Sequence, residues 1–221
     1  IFFSSERVLE DGIFAENGRM FYKNGSNKEF IINTKEIFIP GKHNLENAMA
    51  ASGAALALGI DLETIAGVLR EFKGVEHRLE FAGEYNKVKF YNDSKGTNPD
   101  ASIKAIQGIN KPIILIAGGY DKKSSYDDFI KAFDDKVKAL ILLGKTAEDI
   151  KNCALKYGFN NIYMVKTMDE AVKKSFELAE EGDNVVLSPA CASWDMYPNY
   201  EVRGRDFKER VNYYGRNGKK I

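Results

Sequence analysis

The stretch Pro112-Ile113-Ile114-Leu115-Ile116-Ala117-Gly118-Gly119 decides the fold of this 221-residue chain. Its central residues are all apolar, without the alternation of a strand that has one face in water. Such a strand is buried on both faces, which is typical of a parallel sheet covered by helices. The paired glycines then allow a tight turn where the strand ends. The stretch therefore predicts helices packed on both sides of a central parallel sheet.

Apolar runs and amphipathic segments alternate on both sides of this strand. The runs predict further strands over residues 79–84, 88–92, 137–143, 162–165 and 184–187. Apolar residues at helical spacing predict helices over 125–133, 146–157, 168–180 and 201–213, and Asn98 before Pro99 marks another helix start. Because strands that alternate with helices build parallel sheets, we predict a Rossmann-like, doubly wound and mostly parallel α/β sheet.

The first part of the chain has a different pattern. Turn signals at Asp11-Gly12, Asn17-Gly18 and Asn24-Gly25 predict short strands over 1–5, 13–15, 20–22, 29–32 and 37–39. Two helices are then predicted, from Asn44 and from Asp61. The change of pattern places a boundary near residues 74–77 and gives two domains, 1–75 and 76–221.

Composition excludes several classes of protein. The 32 basic residues are balanced by 32 acidic ones, which argues against a general nucleic-acid binder. The longest apolar stretch, 48–60, is shorter than the roughly 20 residues of a membrane span. With only Cys153 and Cys191, a disulfide framework is not expected, so we predict a cytosolic protein in a reducing compartment. The first residue is Ile1 rather than Met, and we expect the chain to be part of a longer one.

Three predicted strands are followed by polar, glycine-bearing loops. These are Asn92-Asp93-Ser94-Lys95-Gly96-Thr97-Asn98, then Gly118-Gly119-Tyr120-Asp121-Lys122-Lys123, and Ser188-Pro189-Ala190-Cys191-Ala192-Ser193-Trp194-Asp195. Alone, each loop has a structural explanation as a turn or a helix cap. Together they lie at carboxyl ends of strands, where doubly wound sheets bind ligands. Their cations, hydroxyls and backbone donors suit a phosphate or a carboxylate.

Two further motifs carry residues that suit a nucleotide. Gly41-Lys42-His43-Asn44-Leu45-Glu46-Asn47 places Asn44 and Asn47 one turn apart on a helix, where two amides can contact a base or a sugar. Glu76-His77-Arg78-Leu79-Glu80 offers an arginine to phosphates, with a structural salt bridge as an equal alternative. The chain contains no Walker A sequence and no zinc-ligand spacing, and Cys191 is better explained as a buried thiol than as a nucleophile.

In this order, the motifs resemble those of the Mur ligase family of ATP-dependent amide-forming enzymes. The resemblance implies that ATP, with Mg²⁺, converts a carboxylate into an acyl phosphate that the amine of an amino acid attacks. The loop 188–193 resembles that of members that add D-glutamate to UDP-N-acetylmuramoyl-L-alanine in the cytoplasm. It further implies a monomer in which 1–75 ends a central P-loop-type ATP-binding domain and 76–221 is the amino-acid-binding domain. The family's phosphate-binding loop and main Mg²⁺ ligands lie upstream, so this chain alone is expected to be inactive.

The resemblance also implies roles for individual residues. Asn44 and Asn47 would contact the adenine side of ATP. The ribose and phosphates would be contacted by Arg78, Asp93 and Lys95, the last two being the implied catalytic residues. The D-glutamate pocket would be formed by Thr97, Lys122, Ser193, Trp194 and Tyr200, with Lys123 as the alternative to Lys122. No metal ligand is expected in this chain.

Alternatives stay open at this point. Within the enzyme class, another Mur ligase or a folylpolyglutamate synthase is the next candidate. From a different class, the chain would be a non-catalytic nucleotide-binding or interaction module whose polar loops are only helix caps and turns.

Overall fold

The computed structural model describes residues 1–39, 41–120 and 123–217. The chain divides into two compact units, Ile1–Gly74 (the N-terminal unit) and Val75–Ile221 (the C-terminal unit). Each unit has a hydrophobic core of its own. Within the described residues, no helix is both long enough and apolar enough to cross a membrane.

The N-terminal unit contains one sheet and two α-helices. The four strands lie in chain order and are β1 (Phe3–Ser4), β2 (Gly12–Glu16), β3 (Arg19–Asn24) and β4 (Asn27–Asn33). The helices are α1 (Lys42–Ala57) and α2 (Leu62–Glu71). The side chains buried between sheet and helices include Ile13, Met20, Ile32, Met49 and Ile65. The strands predicted over 13–15 and 20–22 are present and pair as an antiparallel hairpin, in which Gly18 takes the left-handed conformation (φ +73°) that the turn between β2 and β3 requires.

Two details of this unit differ from the prediction. Residues 37–39 form no strand; a 3₁₀ turn at Thr34–Glu36 ends β4, and the Phe38 N–H then donates to the Leu69 carbonyl. Ile37 is buried and Ile39 half-buried in the core of this unit, whereas Phe38 is 50% exposed. Helix α1 begins at Lys42 instead of Asn44, because Gly41 turns the chain into the helix with φ +102°.

The C-terminal unit is built on a six-stranded sheet. Its strands are β5 (Glu80–Tyr85), β6 (Val88–Asn92), β7 (Ile113–Ala117), β8 (Val137–Leu142), β9 (Ile162–Met164) and β10 (Asn184–Leu187). The order is β5-β6-β10-β7-β8-β9, and every neighbouring pair is parallel except β5 with β6. The helices are α3 (Pro99–Gly108), α4 (Asp127–Lys131), α5 (Ala147–Lys156), α6 (Met168–Leu178) and α7 (Tyr200–Asn217). The predicted mostly parallel α/β sheet is confirmed.

Strand β7 explains why the central run is apolar throughout. Ile113, Leu115 and Ala117 pack into the core shared with α3, α4 and α5. Ile114 and Ile116 pack into the opposite core, which contains Phe207 of α7. All five residues of the strand are fully buried, and burying one such branched side chain contributes about 1.5–3 kcal/mol. Because helices cover both faces of the sheet, the end that they leave uncovered is the one where the parallel strands have their carboxyl ends.

Candidate functional site

The three predicted loops meet at the carboxyl edge of the sheet. The Asp93 N–H donates to the Leu187 carbonyl at 2.8 Å, which joins the loop after β6 to the end of β10. The loop after β7 is joined to the loop after β10 by Gly118 N–H to the Pro189 carbonyl (2.9 Å) and Tyr120 N–H to the Ala192 carbonyl (2.8 Å). Backbone hydrogen bonds thus hold the three predicted loops together in one cluster.

The side chain of Arg203, in α7, forms hydrogen bonds with two of these loops. It is 3% exposed. Nε and Nη2 donate to the hydroxyl (3.0 Å) and carbonyl (2.8 Å) of Ser94, and Nη1 donates to the carbonyls of Cys191 (3.1 Å) and Ala192 (3.2 Å). Burial lowers the pKa of Arg203 to about 10, so the guanidinium is charged at neutral pH. Within the described residues no carboxylate forms an ion pair with it, although the carboxylates of Asp195 and Asp93 lie near enough to favour its charged form.

Asp93 points into the protein rather than into solvent. The residue is 6% exposed. One carboxylate oxygen accepts from the Leu79 N–H (3.2 Å) and the other from the Ser188 hydroxyl (2.7 Å). Burial raises the pKa of this carboxyl to about 6, against the lowering effect of those hydrogen bonds. In this arrangement Asp93 connects the segment around Arg78 to the loop after β10, and its predicted contact with a nucleotide stays a prediction.

Replacing Asp93 with asparagine tests this burial. The raised pKa means that the folded state disfavours the charged carboxylate, so stability contributed by the wild-type residue is lost as the pH rises from about 4 to 6. Asparagine does not ionise. We expect the unfolding free energy of Asp93→Asn, relative to wild type, to be higher at pH 8 than at pH 5 by about 1–2 kcal/mol. Urea denaturation at both pH values measures it. An equal change in Asp100→Asn, at an exposed position of α3, would assign the effect to net charge instead.

Arg78 is held outward by its buried neighbours. His77 (φ +65°) and Leu79 (φ +46°) both take left-handed conformations, and both are buried while Arg78 is exposed. The Asn92 amide lies 2.9 Å from His77 Nδ1, and the His77 carbonyl accepts from the Lys95 N–H at 3.0 Å. The predicted phosphate contact of Arg78 is therefore sterically available, and the segment that carries it is joined to the loop after β6.

Glu76, His77 and Glu80 lie close enough together to be considered as a metal site. The ammonium of Lys208, however, lies 2.8 Å from a carboxylate oxygen of both Glu76 and Glu80. The Asn92 amide donates to Nδ1 of His77, which leaves the proton of the neutral ring on Nε2 and removes that atom as a ligand. Burial lowers the pKa of His77, which favours the neutral ring. The group is therefore a lysine–glutamate ion-pair network.

The other predicted residues fall into separate places. Lys95 is exposed, with its ammonium 5.7 Å from the centre of the Tyr200 ring, so a residue of the predicted nucleotide set lies beside one of the amino-acid set. Ser193 is buried in the loop after β10. Thr97 is half-buried and directly precedes Asn98, the N-cap residue of α3. Trp194 is 63% exposed, with its ring 5.6 Å from that of Tyr120.

Three predicted positions are outside the described part of the C-terminal unit. Asn44 and Asn47 belong to α1 of the N-terminal unit, where Asn44 is buried and Asn47 is exposed. Lys122 lies outside the described residues, and so does the neighbouring Asp121. Lys123, the alternative to Lys122, is exposed with φ +59°.

Neither Arg203 nor Lys145 was among the site residues predicted from the sequence. Arg203 lies among other charged residues of an amphipathic helix, and its pattern gives no signal of burial. Lys145 had a signal, because Gly144-Lys145 follows an apolar strand in the same way as the selected loops do. Cys191 is buried, with its sulfur 3.2 Å from the hydroxyl oxygens of both Tyr126 and Thr146. Burial raises the pKa of its thiol, which argues against a nucleophile.

Comparison with known proteins adds a family match. Residues 77–191, just over half of the chain, match the family model for the Mur ligase, glutamate ligase domain. UDP-N-acetylmuramoylalanine–D-glutamate ligases from Thermoanaerobacter sp. (strain X514) and Clostridioides difficile (strain 630) are 57% and 52% identical to this chain. The alignments cover 95% and 96% of this chain but 46% and 47% of those relatives. The chain thus spans a little under half of their length.

Solved structures show the same fold at low sequence identity. The UDP-N-acetylmuramate-alanine ligase of Thermotoga maritima has a TM-score of 0.61 and 21% identity, over 89% of this chain and 44% of that one. A folylpolyglutamate synthase of Mycobacterium tuberculosis complexed with ADP has a TM-score of 0.62 and 12% identity, over 90% of this chain and 47% of that one.

Proposed function

Because this chain belongs to the Mur ligase family, we propose that it is part of an ATP-dependent ligase that adds D-glutamate to UDP-N-acetylmuramoyl-L-alanine. The observation that carries the proposal is the cluster of strand-end loops around the buried, unpaired charge of Arg203. A dianionic amino acid suits such a place, where hydroxyls, backbone donors and a guanidinium converge. The identity of 52–57% to ligases of that name supports the choice of substrate.

ATP is proposed to contact five of the predicted residues, each described within its own unit. The segment 1–75 would end the ATP-binding domain, and Asn44, which is buried, and Asn47, which is exposed, would contact the adenine side from α1. Arg78 and Lys95 are exposed cations that suit phosphate oxygens. Asp93, being buried, would act by keeping Arg78 in place. The Mg²⁺ that accompanies ATP in such ligases would be held mainly by residues upstream of this chain.

The amino-acid side of the proposal uses 76–221. Thr97, Ser193, Trp194 and Tyr200, with Lys122, would bind D-glutamate so that its amine faces the acyl phosphate. The amine attacks the acyl carbon to give a tetrahedral intermediate, which collapses to the amide as phosphate leaves. Lys95 would balance the negative charge that collects on the oxygens in that step. Excluding water from the site would protect the acyl phosphate from hydrolysis.

We also propose a cellular location, an oligomeric state and a class of substrates. The product is a peptidoglycan precursor made in the cytoplasm, and the enzyme would act there as a monomer on small molecules, without nucleic acid or membrane. The chain by itself is expected to lack ligase activity, since it spans a little under half of its relatives.

Stereospecific binding tests the substrate. We expect D-glutamate to shift the amide NMR signals of Thr97 and Ser193 in this chain, with L-glutamate shifting them at least threefold less. The reason is that a site with fixed donors distinguishes the two arrangements of amine and carboxylates around one carbon. A preference for L-glutamate would indicate the folylpolyglutamate synthase alternative. Weak shifts of equal size, spread over the surface, would support the non-catalytic module and contradict the proposal.

A further inference from the structure

Thr146 lies in the loop that follows β8, the neighbour of β7 in the sheet. It is fully buried and is the N-cap residue of α5. A threonine at this position usually accepts a hydrogen bond from the first turn of its own helix, as Thr167 of α6 does from the Glu170 N–H (3.1 Å). Within α5, every residue of which is described, the Thr146 hydroxyl makes no such bond. This hydroxyl is directed to other partners.

The first partner is the paired-glycine turn after β7. Thr146 Oγ1 accepts from the Gly119 N–H at 3.0 Å, and the Thr146 N–H donates to the Gly119 carbonyl at 3.0 Å. The hydroxyl thus fixes the peptide group before Gly119, and the backbone of Thr146 fixes the peptide group after it. That second peptide group carries the Tyr120 N–H, which donates to the Ala192 carbonyl (2.8 Å). Thr146 therefore sets the direction in which the loop after β7 leaves the sheet.

The second partner of the hydroxyl is the loop after β10. Thr146 Oγ1 lies 3.2 Å from Cys191 Sγ. A hydroxyl can accept from one group and donate to another, so both contacts can be made at once. The two loops approach each other closely here, because a Cβ on Gly119 would lie 2.3 Å from the Ala192 carbonyl oxygen. One buried hydroxyl thus joins the two loops where they are nearest.

Asp195 holds the loop after β8 from its other side. Asp195 Oδ2 accepts from the Lys145 N–H at 2.9 Å. Gly144 has φ +80°, and a Cβ there would lie 2.5 Å from Asp195 Oδ2 and 2.8 Å from the Gly119 Cα. Asp195 follows Ser193 by two residues. The loop after β8 is therefore fixed against both neighbouring loops, and it cannot shift without moving them.

From this arrangement we infer that Thr146 is a positioning residue of the candidate site: its hydroxyl holds the loops after β7 and β10 in the arrangement that binds the amino acid. The inference rests on the proposed function. Thr146 is fully buried and does not itself touch the substrate. It acts through the Gly119 peptide groups and through Cys191, two residues before the predicted pocket residue Ser193.

Thr146→Val tests the inference, because it replaces the hydroxyl with a methyl group of similar size. We expect this variant to bind D-glutamate about tenfold more weakly in NMR titrations of this chain, since the Gly119 N–H loses its acceptor. The Gly119 amide signal should move upfield, because its proton is no longer hydrogen-bonded. Thr146→Ser keeps the hydroxyl and should restore the Gly119 signal and bring the affinity to within about threefold of wild type.

Thr167→Val is the matched control. It makes the same chemical change at the N-cap of α6, where the hydroxyl does cap its own helix. This variant should be less stable than wild type but bind D-glutamate with unchanged affinity, and its Gly119 signal should stay in place. If Thr146→Val does not fold, Thr146→Ala takes its place, because alanine removes the same hydroxyl without putting a methyl group against the Gly119 N–H.

The outcomes separate this inference from the proposed function. If wild type and Thr146→Val bind D-glutamate equally well, the inference is overturned and the proposed function stands. An equal loss of affinity in Thr167→Val would assign the effect to general destabilisation, and a Thr146→Ser variant as weak as Thr146→Val would show that the hydroxyl is not its cause; either result overturns the inference. If wild type shows no D-glutamate binding, the predicted pocket fails and the positioning role fails with it.

Discussion

Replacing Arg203 with lysine is expected to lower the free energy of unfolding by about 3–5 kcal/mol. The guanidinium makes four hydrogen bonds, to Ser94 through its hydroxyl and carbonyl and to the carbonyls of Cys191 and Ala192. An ammonium cannot reproduce that planar fork, and each lost bond to a charged donor leaves a buried acceptor unsatisfied, at about 1–3 kcal/mol. Urea denaturation monitored by circular dichroism measures the change.

Arg205→Lys is the matched control for this experiment. Arg205 lies two residues further along α7 and is exposed. The same chemical change there should alter stability by less than about 0.5 kcal/mol. If both variants lose the same small amount, the four hydrogen bonds of Arg203 do not stabilise the loops. A stable Arg203→Lys variant with undiminished D-glutamate binding would also remove the guanidinium from the proposed site.

Adding a methyl group at Gly204 is the second change with a large expected effect. A Cβ there would lie 2.2 Å from His77 Nδ1 and 3.0 Å from the Asn92 amide nitrogen. His77 is 2% exposed, so its ring has no free space into which to move. We expect Gly204→Ala to lower the free energy of unfolding by about 3 kcal/mol, at the upper end of the usual cost of overpacking. It should also disturb the segment that presents Arg78.

Gly67→Ala separates this contact from the effect of helix propensity. Gly67 lies inside α2, and a Cβ there would meet nothing within 4 Å. Alanine is a better helix former than glycine by about 1 kcal/mol, so this variant should gain stability. Opposite signs for the two substitutions in urea denaturation are the expected result. A gain in both would mean that the His77 ring moves aside at little cost.

The sequence allowed the sheet of the C-terminal unit to be predicted, because burial on both faces leaves a direct signal. An unbroken apolar run such as Ile113–Ala117 has few explanations other than a central parallel strand. The run at 37–39 shows the limit of this signal. A short apolar run can form an irregular segment that buries only some of its side chains as well as a strand, and only tertiary packing decides between the two.

The sequence predicted where the loops of the candidate site lie better than it predicted the direction in which their side chains point. Polar loops after parallel strands predicted that these loops meet at one edge of the sheet, since the carboxyl ends of parallel strands share an edge. The direction in which each side chain points does not follow from topology. Asp93 was predicted to contact the nucleotide, and nothing in the sequence indicated that its oxygens accept hydrogen bonds from Leu79 and Ser188 inside the protein. Arg203 has the same charge and helix as Arg205, and only the fold places one inside and the other outside.

The hydrogen bonds between Arg203 and Ser94 join residues 109 positions apart in the chain. Such a contact has high contact order and forms only after the intervening strands have paired. During translation, the loop after β6 leaves the ribosome well before α7 does. The cluster of loops is therefore expected to reach its final arrangement in one late step, when α7 packs against the sheet. A nascent or truncated chain that ends before Arg203 would contain all six strands of the C-terminal sheet yet lack the four hydrogen bonds that hold its loops.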